Sequence, residues 1–412
     1  MQLTAPVETS VARNESNQAG RRSRGPIFRS VRLSRIGLSC LGALLVIASI
    51  RYQPDPIDVI VMRAERSDPN RAVSLYEEAL RADSASPYRW VSLAHALAKV
   101  NQIDRARQCF RRALALAPSI PGIWLKDCQF HFQLGESQEA LRSAARVLEI
   151  VPDYDPVLFD DFDRLVPDAG RLLAAIGNNQ RATRSYFVHE IAAGSVRNAA
   201  AFWRHLSLKG FGDDQLASSY VDLLLRNRSY DEALKTWSSW LAPRTADYPQ
   251  SNLLYNGGFE LKPTGSALDW RIVDGADVVE TIRDENQPRE GRWGLKISFQ
   301  GRQNVFYRHV SQDSVLSAPG RYRLAAWIRT EGITTNEGLR LNVLDAESPA
   351  RLDARTDSVS GTHAWMPLAL EFTASPQTRL VRILVTRQPS SKFDNKIAGT
   401  AWLDSFSLVG IH

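Results

Sequence analysis

Two short acidic patterns are the residues of this chain best suited to chemistry. Asp153-Tyr154-Asp155 and Asp161-Phe162-Asp163 each set two carboxylates one residue apart, a spacing at which both can hold a hard divalent cation. Asp also collects at helix starts, where it meets the positive end of the helix dipole. Both patterns fall at a boundary between helical segments with no alternating strand and helix context, so the capping role outweighs the catalytic one. None of the seven histidines, at 95, 131, 189, 205, 309, 363 and 412, stands at a metal-ligand spacing. No phosphate-binding glycine loop, nucleophile elbow or dinucleotide fingerprint occurs. The expectation is a binding protein, not an enzyme.

What positions such residues is a repeat. Trp90, Ala106, Phe110, Ala113 and Pro118 return 34 residues later as Trp124, Ala140, Ala144, Val147 and Pro152, a period that marks stacked helical hairpins. Trp90, Leu93 and Leu97 share one helical stripe, and Ala106, Phe110 and Ala113 the next, so small residues let two antiparallel helices approach. Pro118 and Pro152 stop the second helices. Trp90, Leu93, Ala94, Leu97, Ala106, Phe110, Ala113 and Pro118 occupy the eight defining positions of a tetratricopeptide repeat, which residues 87–118 closely resemble. The resemblance implies a scaffold that binds a protein partner. The second copy departs from the pattern at Asp127, Cys128 and His131. Ala72, Tyr76 and Ala79 lie one period earlier, residues 171–208 read as two further helices, and Tyr220, Leu224, Ala233 and Trp237 return to the repeat spacing. A tetratricopeptide-like solenoid is expected over residues 56–243.

With 412 residues, of which 44% are hydrophobic, the chain can form two or three domains with ample core. The net charge of +6 is concentrated at the N-terminus, which points to membrane topology and away from nucleic acid. Residues 1–35 read as a disordered basic tail. Residues 36–53 read as a transmembrane anchor whose fifteen-residue uncharged run, 36–50, is short for a span. A cleaved signal peptide is the competing reading, opposed by the absence of a clean small-residue cleavage site. Six arginines from Arg21 to Arg35 precede the run and Arg51 follows it, so the expected location is the inner membrane, single-pass, with the bulk of the chain outside the cytoplasm. Only Cys40, Cys109 and Cys128 occur, which excludes a disulfide framework; the last two sit on adjacent expected helices, where an oxidising compartment would allow a bridge, but packing is the expected role.

Beyond residue 250 the period changes to two. Short alternating runs at 294–299, 305–312, 321–330, 339–344, 365–373, 380–386 and 400–409, separated by turn residues, predict an antiparallel β-sandwich over residues 251–412. Asn252-Leu253-Leu254-Tyr255-Asn256-Gly257-Gly258-Phe259-Glu260, the strand entry Pro319-Gly320-Arg321-Tyr322-Arg323-Leu324 with Trp327, and the closing Ala401-Trp402-Leu403-Asp404-Ser405-Phe406-Ser407-Leu408 resemble the jelly-roll carbohydrate-binding modules of bacterial cellulases and xylanases.

That resemblance implies a structural calcium at Glu260 and Asp404, whose alternative role is hydrogen bonding to turn backbone. It also implies sugar binding by outward aromatics. Strand parity sets Trp327 and Arg323 on one face, with Arg340 and Asn342 joining them if their strands are neighbours. The same parity puts Trp293 and Trp402 in the core and leaves Trp270 and Tyr307 undecided. The expected function is a non-catalytic, membrane-anchored scaffold of the cell envelope, plausible in exopolysaccharide assembly or export. The alternatives are an accessory enzyme of glycosyltransferase or hydrolase type, whose metal-binding motif the Asp-x-Asp patterns resemble, and a module that binds proteins alone.

Overall fold

The computed structural model describes residues 55–411 apart from 243, 245–247, 274, 276–277 and 318. The basic tail and the anchor segment at 36–53 lie outside the described residues, and among the described helices none is long and apolar enough to cross a membrane. The chain divides into two compact units between Ile103 and Asp104.

The first unit holds α1 (Pro56–Glu65), α2 (Pro69–Ala82) and α3 (Pro87–Lys99). Proline at the first helical position opens each, where its missing N–H is no loss. Asp55 and Asp68 cap α1 and α2 through side-chain oxygens. The second unit begins with α4 (Ile103–Leu116), α5 (Pro121–Gln133) and α6 (Ser137–Ile150). The 34-residue period is visible in hydrogen bonds: the Trp90 and Trp124 indoles donate to the carbonyls of Ser84 and Pro118, both at 2.9 Å. It also recurs in the left-handed turn residues Asn101 (φ 61°) and Gly135 (φ 74°). The predicted stripe residues Leu93, Ala94, Leu97, Ala106, Phe110 and Ala113 are buried, while Trp90 is half-buried. Cys109 and Cys128 are buried free thiols.

The helical array continues as α7 (Asp155–Leu165), α8 (Ala169–Ile176), α9 (Gln180–Ala193), α10 (Val196–Lys209), α11 (Asp214–Arg226) and α12 (Tyr230–Leu241). Residues 171–208, expected as two helices, fall on three. Asn179 caps α9 after a break at Gly177 and Asn178, and Gly194 ends α9 in the left-handed region at φ 76°.

The C-terminal part is the expected sandwich, with ten strands among the described residues in two antiparallel sheets. The first sheet runs β1 (Arg271–Ile272), β4 (Tyr307–Val315), β9 (Leu380–Arg387), β6 (Arg340–Asp345), β7 (Asp353–Arg355). The second runs β2 (Val279–Asp284), β3 (Gly294–Gln300), β10 (Ala398–Ile411), β5 (Gly320–Ile333), β8 (Gly361–Ala374). Leu295, Ile297, Leu324, Ile328, Leu341, Val343, Ile383 and Val385 fill the space between them. Trp270 and Tyr307 belong to this core: Trp270 stacks on Phe259 at 4.9 Å and donates to the Asn256 carbonyl, and Tyr307 shares a hydrogen bond with Thr281.

Candidate functional site

Three places concentrate polar groups: a groove on the helices, the outer face of the second sheet, and the junction of the last helices with the sandwich. The groove lies over α5, α6 and α8. A hollow of about 810 Å³ is lined by Trp124, Leu141, Ala145, Arg142, Arg146 and Arg171 among others. It shares Trp124, Gln138 and Arg142 with a second hollow of about 760 Å³. The second contains Asp127 and His131, two of the positions at which the sequence departs from the repeat pattern. His131 Nδ1 lies 2.7 Å from Glu136 Oε2 and its Nε2 lies 3.7 Å from Asp127 Oδ1. The Ser143 hydroxyl donates to Asp127, and Arg107 donates to Glu136. Burial pushes the Asp127 carboxyl above its ordinary range, while the hydrogen bond from His131 holds Glu136 below its own. The polar groove was missed from the sequence, although the break in the repeat pattern was its signal.

The acidic patterns are divided among separate partners. Asp155 receives Arg181 through two nitrogens, at 2.5 and 3.1 Å. Asp161 pairs with Arg164, and Asp163 accepts from Tyr186 and His189, each at 2.7 Å. Among the described residues no group of three His, Cys, Asp or Glu is arranged to hold a metal.

The sandwich corrects the expected sugar face. Trp327 and Arg323 lie on β5 in the second sheet, whereas Arg340 and Asn342 lie on β6 in the first, so the two pairs do not share a surface. Asn342 is bound to Asp353 Oδ1 at 2.8 Å and to the Ala354 carbonyl at 2.9 Å, and Arg340 to Glu337. Trp327 faces outward and half-buried, with Arg289 over its ring at 3.6 Å. Trp402 is buried as expected, at 8% exposed, but lies on the outer side of its strand and not between the sheets. Leu403 pairs with Ile328 and Leu408 with Leu324, so β10 spends one residue more than β5 between the two pairs. The extra residue is a bulge at Ser405 (φ 53°), which reverses parity along the strand. Trp402 is therefore flanked by Lys296 and Arg329, with Arg329 over its ring at 5.2 Å, and donates to Asp284. Trp293 keeps the inward parity but sits half-buried at the sandwich margin under Arg283.

Glu260 and Asp404 both face the loop before β3. Asp404 Oδ2 accepts from the backbone of Arg289 and Glu290, and Glu260 Oε1 from that of Arg292 and Trp293. Burial raises the Asp404 carboxyl against these donors, and the nearby Glu260 charge adds to it. The pair works as a clasp on turn backbone. It offers a cation two acidic ligands, so the six to eight oxygens that calcium takes would have to be completed by backbone carbonyls or water.

At the junction, Tyr255, Ala267, Leu268, Val315 and Leu380 of the sandwich enter the same apolar cluster as Trp237, Leu241 and the other helix residues. Arg271 donates to Asp222 at 2.9 Å, Arg379 to Asp231 at 2.6 Å, and Arg228 and Tyr230 both meet Glu347. These contacts use β1, β4, β9 and loops of the first sheet, including the one after β6. Trp327 is on the other sheet.

The model of the family described as tetratricopeptide repeat matches residues 63–121. A comparison with curated proteins finds no match. Among solved structures, a family 16 carbohydrate binding module is 17% identical over 38% of this chain and 99% of its own, with a TM-score of 0.28. The xylan-binding domain of a Paenibacillus barcinonensis protein is 13% identical over 34% of this chain and 85% of its own, TM-score 0.24. The enzymatically active domain of tailspike protein 4 of bacteriophage CBA120 is 15% identical over 39% of this chain, TM-score 0.29. The chain spans about 21% of that tailspike's length.

Proposed function

We propose that this chain is a non-catalytic scaffold of the cell envelope, held at the inner membrane through residues 36–53 with its bulk on the extracytoplasmic side. The helical groove binds a protein partner, and the sandwich presents the Trp327 face to a glycan, in exopolysaccharide assembly or export. The observation that carries this reading is the junction: the sandwich is built into the end of the helical array through its first sheet, which leaves the outer face of the second sheet with Trp327 and Arg323 for another molecule. A sugar stacking on Trp327 would displace Arg289.

Calorimetric titration of the full chain with a panel of neutral and acidic polysaccharides tests the sugar half. Binding that Trp327→Ala and Arg323→Ala each weaken supports it, and a null result across the panel removes it. The protein half is tested separately, by cross-linking from Arg142→Cys in the native membrane. A calcium at Glu260 and Asp404 belongs to the same proposal: the melting temperature should rise with millimolar calcium and fall with chelator, and an unchanged melt removes it.

A further inference from the structure

One end of the sandwich is organised around an arginine whose hydrogen bonds, among the described residues, go to no carboxylate, although the Glu337 charge lies near enough to favour it. Arg387 is fully buried. It donates to Asn304 Oδ1 at 2.8 Å, to Thr335 Oγ1 at 3.2 Å, and to the carbonyls of Val305, Glu337 (3.0 Å) and Asn395 (3.3 Å). All five acceptors are neutral, and burial lowers the guanidinium below its ordinary range. The acceptors come from three loops, so one side chain fixes residues 301–306, 334–339 and 388–397 together. Asn304 and Ser390 add a reciprocal pair: Asn304 Nδ2 donates to the Ser390 carbonyl at 2.8 Å, and Ser390 N to Asn304 Oδ1 at 2.9 Å.

This hydrogen-bonded end carries two aromatic rings with no place in the core. Phe393 is 105% exposed, standing clear of its surroundings, and Phe306, beside Val305, is 47% exposed. Arg302, Lys392 and Lys396 are exposed in segments 301–306 and 388–397 and Arg308 at the adjoining start of β4, against Asp394; Glu337 of the third loop is paired with Arg340. A ring that stands clear of its surroundings is not enclosed by a pocket of its own chain. Apolar rings ringed by cations suit the boundary between anionic headgroups and acyl chains, where rings bury apolar area and lysines meet phosphate.

We propose that the tip at Phe393 and Phe306 inserts into an anionic lipid surface, giving the sandwich a membrane contact of its own. The test uses the full chain with benzoylphenylalanine in place of Phe393, irradiated with phosphatidylcholine vesicles that contain or lack phosphatidylglycerol. The same photoreactive group at Leu208, 82% exposed on a helix, is the control. Lipid adducts at 393 should exceed those at 208 and require phosphatidylglycerol. Lys392→Gln and Lys396→Gln should each lower them about fivefold, with the melting temperature unchanged. Adducts equal at the two positions, adducts indifferent to phosphatidylglycerol, or adducts to protein instead of lipid would each overturn the proposal. The outcome does not depend on glycan binding at Trp327, which is on the second sheet and is read by titration.

Discussion

Arg387 shows how much structure one residue can hold. Replacing it with methionine keeps an unbranched chain of similar length and removes every donor from five acceptors on three loops, of which Asn304 Oδ1 keeps Ser390 N and the Glu337 carbonyl keeps the Thr335 hydroxyl. The expected loss is roughly 2–4 kcal/mol of unfolding free energy, and Arg387→Lys should recover little of it, because an ammonium cannot span a planar fork of acceptors. Chemical denaturation measures this; a loss near zero would mean that water takes over the acceptors. Trp402 is the residue-scale lesson in the other direction. Simple alternation along 402, 404, 406 and 408 places it inside, and nothing in the local sequence shows that Ser405 takes a left-handed conformation and turns the strand over. Asp404 supports that turn by accepting from the Ser405 N–H at 2.6 Å.

Helices were legible where period and caps agreed, and Asp213 illustrates what a single cap adds. It accepts from Leu216 N at the start of α11 and pairs with Arg184 of α9. Burial alone would raise its carboxyl, but Arg184 and the cap N–H outweigh burial and hold it below 3.8. A depressed carboxylate contributes stability that is complete above its unfolded value and lost as pH falls through the lower folded one. Asp213→Ala should cost about 1 kcal/mol for the cap alone, whereas Asp213→Asn should keep the cap and lose the acid-dependent part. Urea midpoints of the two variants at neutral pH and below pH 3.8 separate these effects; identical pH profiles for wild type and Asp213→Asn would sink the assignment. The 34-residue period could not announce the break at Gly177 that makes three helices of 171–208, nor the hydrogen-bonded role of Asp127 and His131, because both arise from contacts between helices. Strand existence was readable from alternation at seven places. Strand order was not: Arg340 and Asn342 reach the opposite sheet from Trp327 through a topology that alternation along single strands does not encode.

At the scale of the molecule, the decisive feature is that the helices from α5 onward and the sandwich share a core. Trp237 is fully buried and meets Tyr255 edge-on at 6.1 Å, and Leu380 of β9 belongs to the same cluster. Helices and sandwich should therefore unfold together. Trp237→Ala should cost about 3–5 kcal/mol and lower the midpoints of far-ultraviolet helix signal and sandwich hydrogen exchange equally. Trp237→Phe should cost far less, since the indole N–H it removes has no partner in the described structure. Acid should loosen the same seam. The Glu347 carboxyl lies below its ordinary 4.5, first through the Tyr230 hydroxyl and then through Arg351, so its contribution is complete above that value and fades as pH falls through the folded one. Glu347→Gln should remove that part of the acid sensitivity while Tyr230 retains an acceptor. If calorimetry instead resolves a helix transition that Trp237→Ala shifts and a sandwich transition that it leaves in place, the seam is only a contact. The Trp327 face would then belong to an independently hinged module, not to a platform fixed on the helical array.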